Sequence, residues 1–139
     1  MTAEENKTII RRFGQLWGKE NLSAIDELAD PALSVYYPTL GETIHGPEAF
    51  KQFLKQFHNA FPDADITFED EIAEDDKVVI RWTLRGTHQR ELMGIQPTGM
   101  KVAFTGITIY RLASGKVVEE RGEEDALGLL RQLGVIPTH

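Results

Sequence analysis

Apolar residues recur at helical spacing from the start of the chain. Ile9, Ile10, Phe13, Leu16 and Trp17 share one face of a helix predicted over Glu4 to Lys19. Thr2 and Glu5 have the spacing of a capping box, which satisfies free amides at a helix start. A second, short helix is expected after Ser23 as N-cap, with Asp26 three residues on. Asp30-Pro31 is expected to end it, because the residue before proline avoids helical dihedrals. Leu33 to Tyr37 reads as a short strand. Gly46-Pro47 opens a third helix, with proline in the first turn where its missing N–H costs nothing. Phe50, Phe53, Leu54, Phe57 and Phe61 form a stripe along it, ended by Phe61-Pro62-Asp63. Such a stripe is core first. Rings packed against a curved sheet can also wall an apolar cavity.

The period then changes from helical to alternating. Ile66, Phe68 and Ile72 fit a strand, Asp75-Asp76-Lys77 a turn, and Val78 to Thr87 a long strand rich in β-branched residues. Gln89 to Gly99 holds Gly94, Pro97 and Gly99 and reads as a loop. Lys101 to Leu112 is a further strand, Ser114-Gly115 a tight turn, and Lys116 to Glu124 the last strand. Leu127, Leu130 and Leu133 are placed on one face of a final helix, with Gly134 at C′. Helices followed by consecutive strands predict one α+β domain over residues 1–139, with helices on one face of an antiparallel sheet.

Composition narrows the function classes. The chain has 139 residues and no cysteine, which excludes disulfides, thiolate metal sites and cysteine nucleophiles. The net charge of −7 argues against nucleic acid and anionic membrane surfaces as partners. The acidic first residues carry no leader pattern and no apolar run has membrane-spanning length, so a cytoplasmic location is expected. His45, His58 and His139 suggest no site, and the four histidines are not spaced to bind a metal. There is no phosphate-binding glycine loop and no G-x-S-x-G elbow, and no cofactor is indicated.

Two places carry candidate chemistry. In the long strand Val78, Ile80, Trp82, Leu84, Gly86 and His88 share the face expected to be buried. His88 ends that face, as a neutral hydrogen-bonding group or a proton shuttle. In the last strand Glu119, Arg121, Glu123 and Asp125 share one face, and Glu120 and Glu124 the other. Were Arg121 and Asp125 inward, they would need each other or a wet cavity. An arginine beside the carboxylate would hold it ionised, as suits a base. Asp125 equally fits the N-cap of the final helix.

The motifs Gly86-Thr87-His88, Met93-Gly94-Ile95-Gln96-Pro97-Thr98-Gly99, Gly106 with Tyr110-Arg111, Ser114 to Glu119 and Asp125 to Gly134 resemble the SnoaL-like polyketide cyclases. Phe61-Pro62-Asp63 and the Asn6 to Trp17 helix extend the resemblance over nearly the whole chain. Arg121 stands where the resemblance leads one to expect an aromatic residue, and Arg90 where it leads one to expect glycine.

The resemblance implies the cone-shaped, cystatin-like fold shared with nuclear transport factor two and ketosteroid isomerase. It implies a deep apolar pocket, a homodimer formed through the sheet, and no metal or cofactor. The chemistry implied is an intramolecular aldol ring closure on an apolar ester, with Asp125 at the position of the general acid/base. His88 would serve the enolate oxygen, and Arg121 would orient Asp125. The expected substrate-binding wall is Trp17, Tyr37, Phe57, Phe61, Trp82 and Tyr110. Two alternatives stay open. One is a hydrolase with Arg121 flanked by Glu123 and Asp125. The other is a non-catalytic small-molecule-binding or dimerisation module.

Overall fold

The computed structural model describes residues 1–18 and 21–136, so Lys19, the expected end of the first helix, and His139 lie outside the described residues. Helix α1 (Ala3–Gly14) begins with the predicted capping box between Thr2 and Glu5. It passes into a 3₁₀ turn, Gln15–Trp17, that carries Trp17. Helix α2 (Ala24–Leu28) is only five residues long, and Ser23 makes no side-chain capping bond. Strand β1 (Ala29–Tyr36) begins earlier than expected and contains Asp30-Pro31, because proline blocks a helix but is tolerated in a strand whose amide is not needed. A two-residue strand β2 (Ile44–His45) has too little pattern to be read from sequence. Helix α3 (Pro47–Ala60) carries the aromatic stripe inward, with Phe50 and Leu54 fully buried.

Strands β3 (Asp65–Glu74), β4 (Lys77–Thr87), β5 (Lys101–Ala113) and β6 (Lys116–Glu124) form an antiparallel run. The sheet has six strands in the order β2-β1-β6-β5-β4-β3, and it is curved and open. It is not wholly antiparallel, since β1 joins β6 in parallel. The chain can make that pairing because β2, helix α3 and strands β3 to β5 lie between the two strands. The turn between β5 and β6 has Ser114 and Gly115 both at positive φ, as a twist-matched two-residue hairpin requires.

The concave face of the sheet holds the core together with α1 and α3. The predicted inner face of β4 is buried at each position from Val78 to His88. Helix α4 (Ala126–Gln132) ends in a Schellman motif, with Gly134 N–H bonded to Arg131 O and Val135 N–H to Leu130 O. Its packed face is Leu129 and Leu133, one turn apart, whereas Leu127 points to solvent. No helix among the described residues is long and apolar enough to cross a membrane.

Candidate functional site

The sheet and α3 enclose a cavity of about 410 Å³, within the size range of small-molecule sites. Trp17 enters from the 3₁₀ turn, Tyr37 from the end of β1, Phe53 and Phe57 from α3, and Trp82, Phe104 and Tyr110 from β4 and β5. Trp17 is the hub of this wall, packing edge-on against Tyr37, Phe50, Phe53 and Phe57 with ring centroids 5.2 to 5.8 Å apart. Of the six residues expected to bind substrate, five line the cavity. Phe61 lies one layer back, between Phe57 and His88. The ionisable acids at the lining are Glu42, Glu91 and Glu124, and among the described residues no lysine, arginine or histidine lines it.

The inner face of β6 is set by a bulge. Arg111 on β5 pairs with Glu119, but the next residue, Leu112, pairs with Val117, so Val118 is an extra residue. An extra residue reverses which side chains point inward. Val117 is buried before the bulge, and Glu120 and Gly122 are buried after it. The expectation that Arg121 and Asp125 could face the cavity is thereby corrected. Both are exposed, and Asp125 caps α4 by accepting from Gly128 N–H at 2.9 Å. The Arg121–Glu123–Asp125 group is brought to solvent and not to the cavity.

Glu120 takes the inward place. It is completely buried and sits just behind the cavity wall, held by two residues that line it. Its Oε2 accepts from the Trp17 indole at 2.8 Å and from the Tyr37 hydroxyl at 2.5 Å. Oε1 has no hydrogen-bond partner among the described residues. Tyr37 also contacts the hydroxyl of Thr108 at 2.8 Å, and the Trp82 indole donates to that same hydroxyl at 2.9 Å. Loss of water pushes the Glu120 carboxyl up to about 7, against the opposing pull of the Tyr37 and Trp17 hydrogen bonds. Burial, reinforced by the Glu120 charge, holds the Tyr37 and Tyr110 hydroxyls well above the usual tyrosine range, so both stay protonated.

Two glycines make room for this arrangement. A Cβ on Gly122 would lie 2.2 Å from the Tyr37 ring, and one on Gly106 would lie 2.2 Å from the Trp82 ring. Each strand lacks a side chain where an aromatic ring lies across it.

His88 is fully buried but does not line the cavity. Its Nδ1 accepts from Thr98 N–H at 3.2 Å, which puts the ring proton on Nε2. Its backbone bonds Met100 and Gly99, so it pins the base of the loop that carries Leu92 and Met93 to the cavity. His58 bonds Leu16 O, a structural contact to the 3₁₀ turn after α1.

Glu120 is the residue that sequence reasoning missed. Alternation along the last strand sets it on the face opposite Arg121 and Asp125 and gives it no role. The available signal was the pair of small inward positions around it, Thr108 and Gly122, but the bulge that sets their phase is a property of strand pairing.

The profile of the SnoaL-like polyketide cyclases matches residues 7–133. Nogalonic acid methyl ester cyclase of Streptomyces nogalater is 33% identical over 98 residues, 69% of this chain and 73% of the relative. Aklanonic acid methyl ester cyclase DnrD of Streptomyces peucetius is 33% identical over 92 residues, 66% of this chain; the match spans 63% of DnrD, less than two thirds of its length. Among solved structures, AclR of Streptomyces galilaeus, a proposed hydroxylase, superposes with a TM-score of 0.82 at 29% identity, covering 98% of this chain and 89% of AclR. A SnoaL-like protein of Jannaschia superposes with a TM-score of 0.87 at 22% identity over 97% of this chain and 95% of its own, which speaks for the fold. Matched through all but the ends of the chain and folded as that family folds, this protein belongs to the SnoaL-like polyketide cyclase family.

Proposed function

We propose that the protein is a cofactor-independent cyclase acting on an apolar carbonyl compound, and that Glu120 is its general base. The observation that carries this is a buried carboxylate with one unpartnered oxygen, set behind an aromatic cavity with its proton affinity raised to about 7. A base poised near neutral pH both takes and returns a proton efficiently. Kinship with two methyl ester cyclases supports the same reading.

The reaction runs as an intramolecular aldol closure. A substrate seated against the rings brings its acidic carbon to Glu120 past Trp17 and Tyr37, whose hydrogen bonds to Oε2 stay in place. The carboxylate takes the α-proton. The resulting enolate carbon attacks a ketone carbon of the same molecule, and one carbon–carbon bond forms. The new alkoxide then takes the proton back from Glu120, so no proton is gained or lost. The aromatic lining orients the substrate and excludes water, which strengthens each polar contact inside. His88 acts from behind the wall by holding the loop of Leu92 and Met93 in place, and Asp125 acts as a helix cap.

The direct test supplies nogalonic acid methyl ester and aklanonic acid methyl ester to the wild type and to Glu120→Gln, and separates the isomeric products by chromatography. Ring closure by the wild type and its loss in the variant is the expected result. Binding of both esters with no turnover by either protein would instead point to a binding module.

The expected homodimer is part of this proposal. Ile107 and Ile109 lie about half exposed on the outer face of the sheet, where a second copy would cover them. Sedimentation of the wild type as a dimer and of Ile107→Glu as a monomer would support it.

A further inference from the structure

The hydrogen bonds that converge on Glu120 have a direction. An indole N–H can only donate, so Trp82 gives its proton to Thr108 Oγ at 2.9 Å and Trp17 gives its proton to Glu120 Oε2 at 2.8 Å. The single Tyr37 proton goes to Glu120 Oε2 at 2.5 Å. The contact left over, between Tyr37 and Thr108 at 2.8 Å, must then run from threonine to tyrosine. The reverse polarity fails, because Thr108 would accept from both Trp82 and Tyr37 while its own proton had no acceptor. Among the described residues those two are its only side-chain partners, and Thr108 is completely buried. A buried hydroxyl without an acceptor is costly.

We propose that Thr108 is a positioning residue that fixes the polarity of the chain Trp82→Thr108→Tyr37→Glu120, and so leaves Oε1 as the one oxygen of Glu120 that exchanges a proton with substrate. Oε2 is occupied by the Trp17 and Tyr37 donors, and Oε1 has no partner among the described residues. Thr108 does this through Tyr37 and does not itself line the cavity. Only a residue that both accepts and donates fits between an indole and a phenol, and a threonine does so without adding a charge. The titratable groups facing Glu120 are Tyr37 at the end of β1 and Tyr110 on β5, both held neutral. The polarity of the chain is therefore set by hydrogen bonds alone. The inference rests on Glu120 as the base, but its test does not depend on turnover.

The test follows the Glu120 carboxyl by carbon-13 NMR in glutamate-labelled protein without ligand, with the signal assigned by its loss in Glu120→Gln. In Thr108→Val, which keeps the shape and loses the hydroxyl, Tyr37 loses its incoming donor and its own bond to the carboxylate weakens. The titration midpoint of Glu120 is then expected to rise by about one unit. Thr108→Ser, which keeps the hydroxyl, is expected to restore the wild-type midpoint. An unchanged midpoint in folded Thr108→Val overturns the proposal. Should Thr108→Val fail to fold, Trp82→Phe carries the test. It removes only the first donor and is expected to raise the midpoint by a smaller amount, and no rise there overturns the proposal equally. If the midpoint moves while the pH dependence of turnover does not move with it, Thr108 is a positioning residue for Glu120 and it is the base assignment that fails.

Discussion

Glu120 and Asp125 are carboxylates five positions apart at the end of one strand, and they live in opposite worlds. Glu120 is fully buried, holds two donors on one oxygen and none on the other, and has its proton affinity raised to about 7. Asp125 is exposed and spends its charge on the first turn of α4. The resemblance to the cyclases points to Asp125, and the geometry points to Glu120. Carboxylate chemistry is set by surroundings more than by residue type, and surroundings follow from which side of the pleat a residue occupies.

The largest expected effect separates the two by turnover. Glu120→Gln should lower ring closure by at least about 100-fold, the usual scale for losing a general base. Asp125→Asn should stay within about 3-fold of wild type, because asparagine is an equally good N-cap. Comparable losses in both variants would break the contrast.

A second contrast uses the glycines beside each carboxylate. A Cβ on Gly122 would meet the Tyr37 ring at 2.2 Å, whereas one on Gly128 would meet the Asp125 carboxylate at 2.2 Å. Gly122→Ala must displace a packed ring and should cost about 10-fold in turnover by misplacing the Glu120 donor. Gly128→Ala moves only the tip of an exposed side chain and should leave turnover within about 2-fold, with a lower melting temperature. Steady-state rates at saturating ester decide it.

The stability of the fold supplies the pH test. The Glu120 carboxyl titrates at about 7 in the folded chain against 4.5 for an ordinary glutamate. Folding therefore favours the protonated form. The stability this group allows is complete below 4.5 and is lost as pH rises through about 7. The loss approaches roughly 3 kcal/mol above that pH. Glu120→Gln removes the charge and keeps an acceptor for Trp17 and Tyr37. It should be more stable than wild type at pH 8 by up to that amount and about equal at pH 4, in urea denaturation at each pH. A gain in stability bought with a loss of turnover is the signature of a site under strain.

The smallest effect belongs to the cap. Asp125→Ala should cost about 1 kcal/mol of stability in urea denaturation, because it removes one bond to the Gly128 amide.

Much of the architecture was legible along the chain. The capping box at Thr2, the proline-opened α3 with its phenylalanine stripe, the inner face of β4 and the glycine stop of α4 all follow from local rules, and each is found. The aromatic wall of Trp17, Tyr37, Phe57, Trp82 and Tyr110, which the resemblance to the cyclases implies, lines the cavity. The packed face of α4 is not the Leu127, Leu130 and Leu133 face that spacing predicts but Leu129 and Leu133, because leucines surround this short helix and spacing alone does not choose among them. On β5 the exposed isoleucines, Ile107 and Ile109, alternate with the buried Thr108 and Tyr110, so hydropathy favours the wrong face there.

The sequence by itself determined the fold class and most of the helices and strands, because these depend on periodicity and on neighbours within a few positions. The tertiary structure alone decided which carboxylate is buried. That choice rests on Val118 being left unpaired where β6 meets β5, on β1 joining β6 in parallel and bringing Tyr37 across, and on Gly122 leaving room for its ring. These are contacts between residues far apart in the chain. A shift of one residue in the pairing of β6 with β5 would have turned Glu120 toward water.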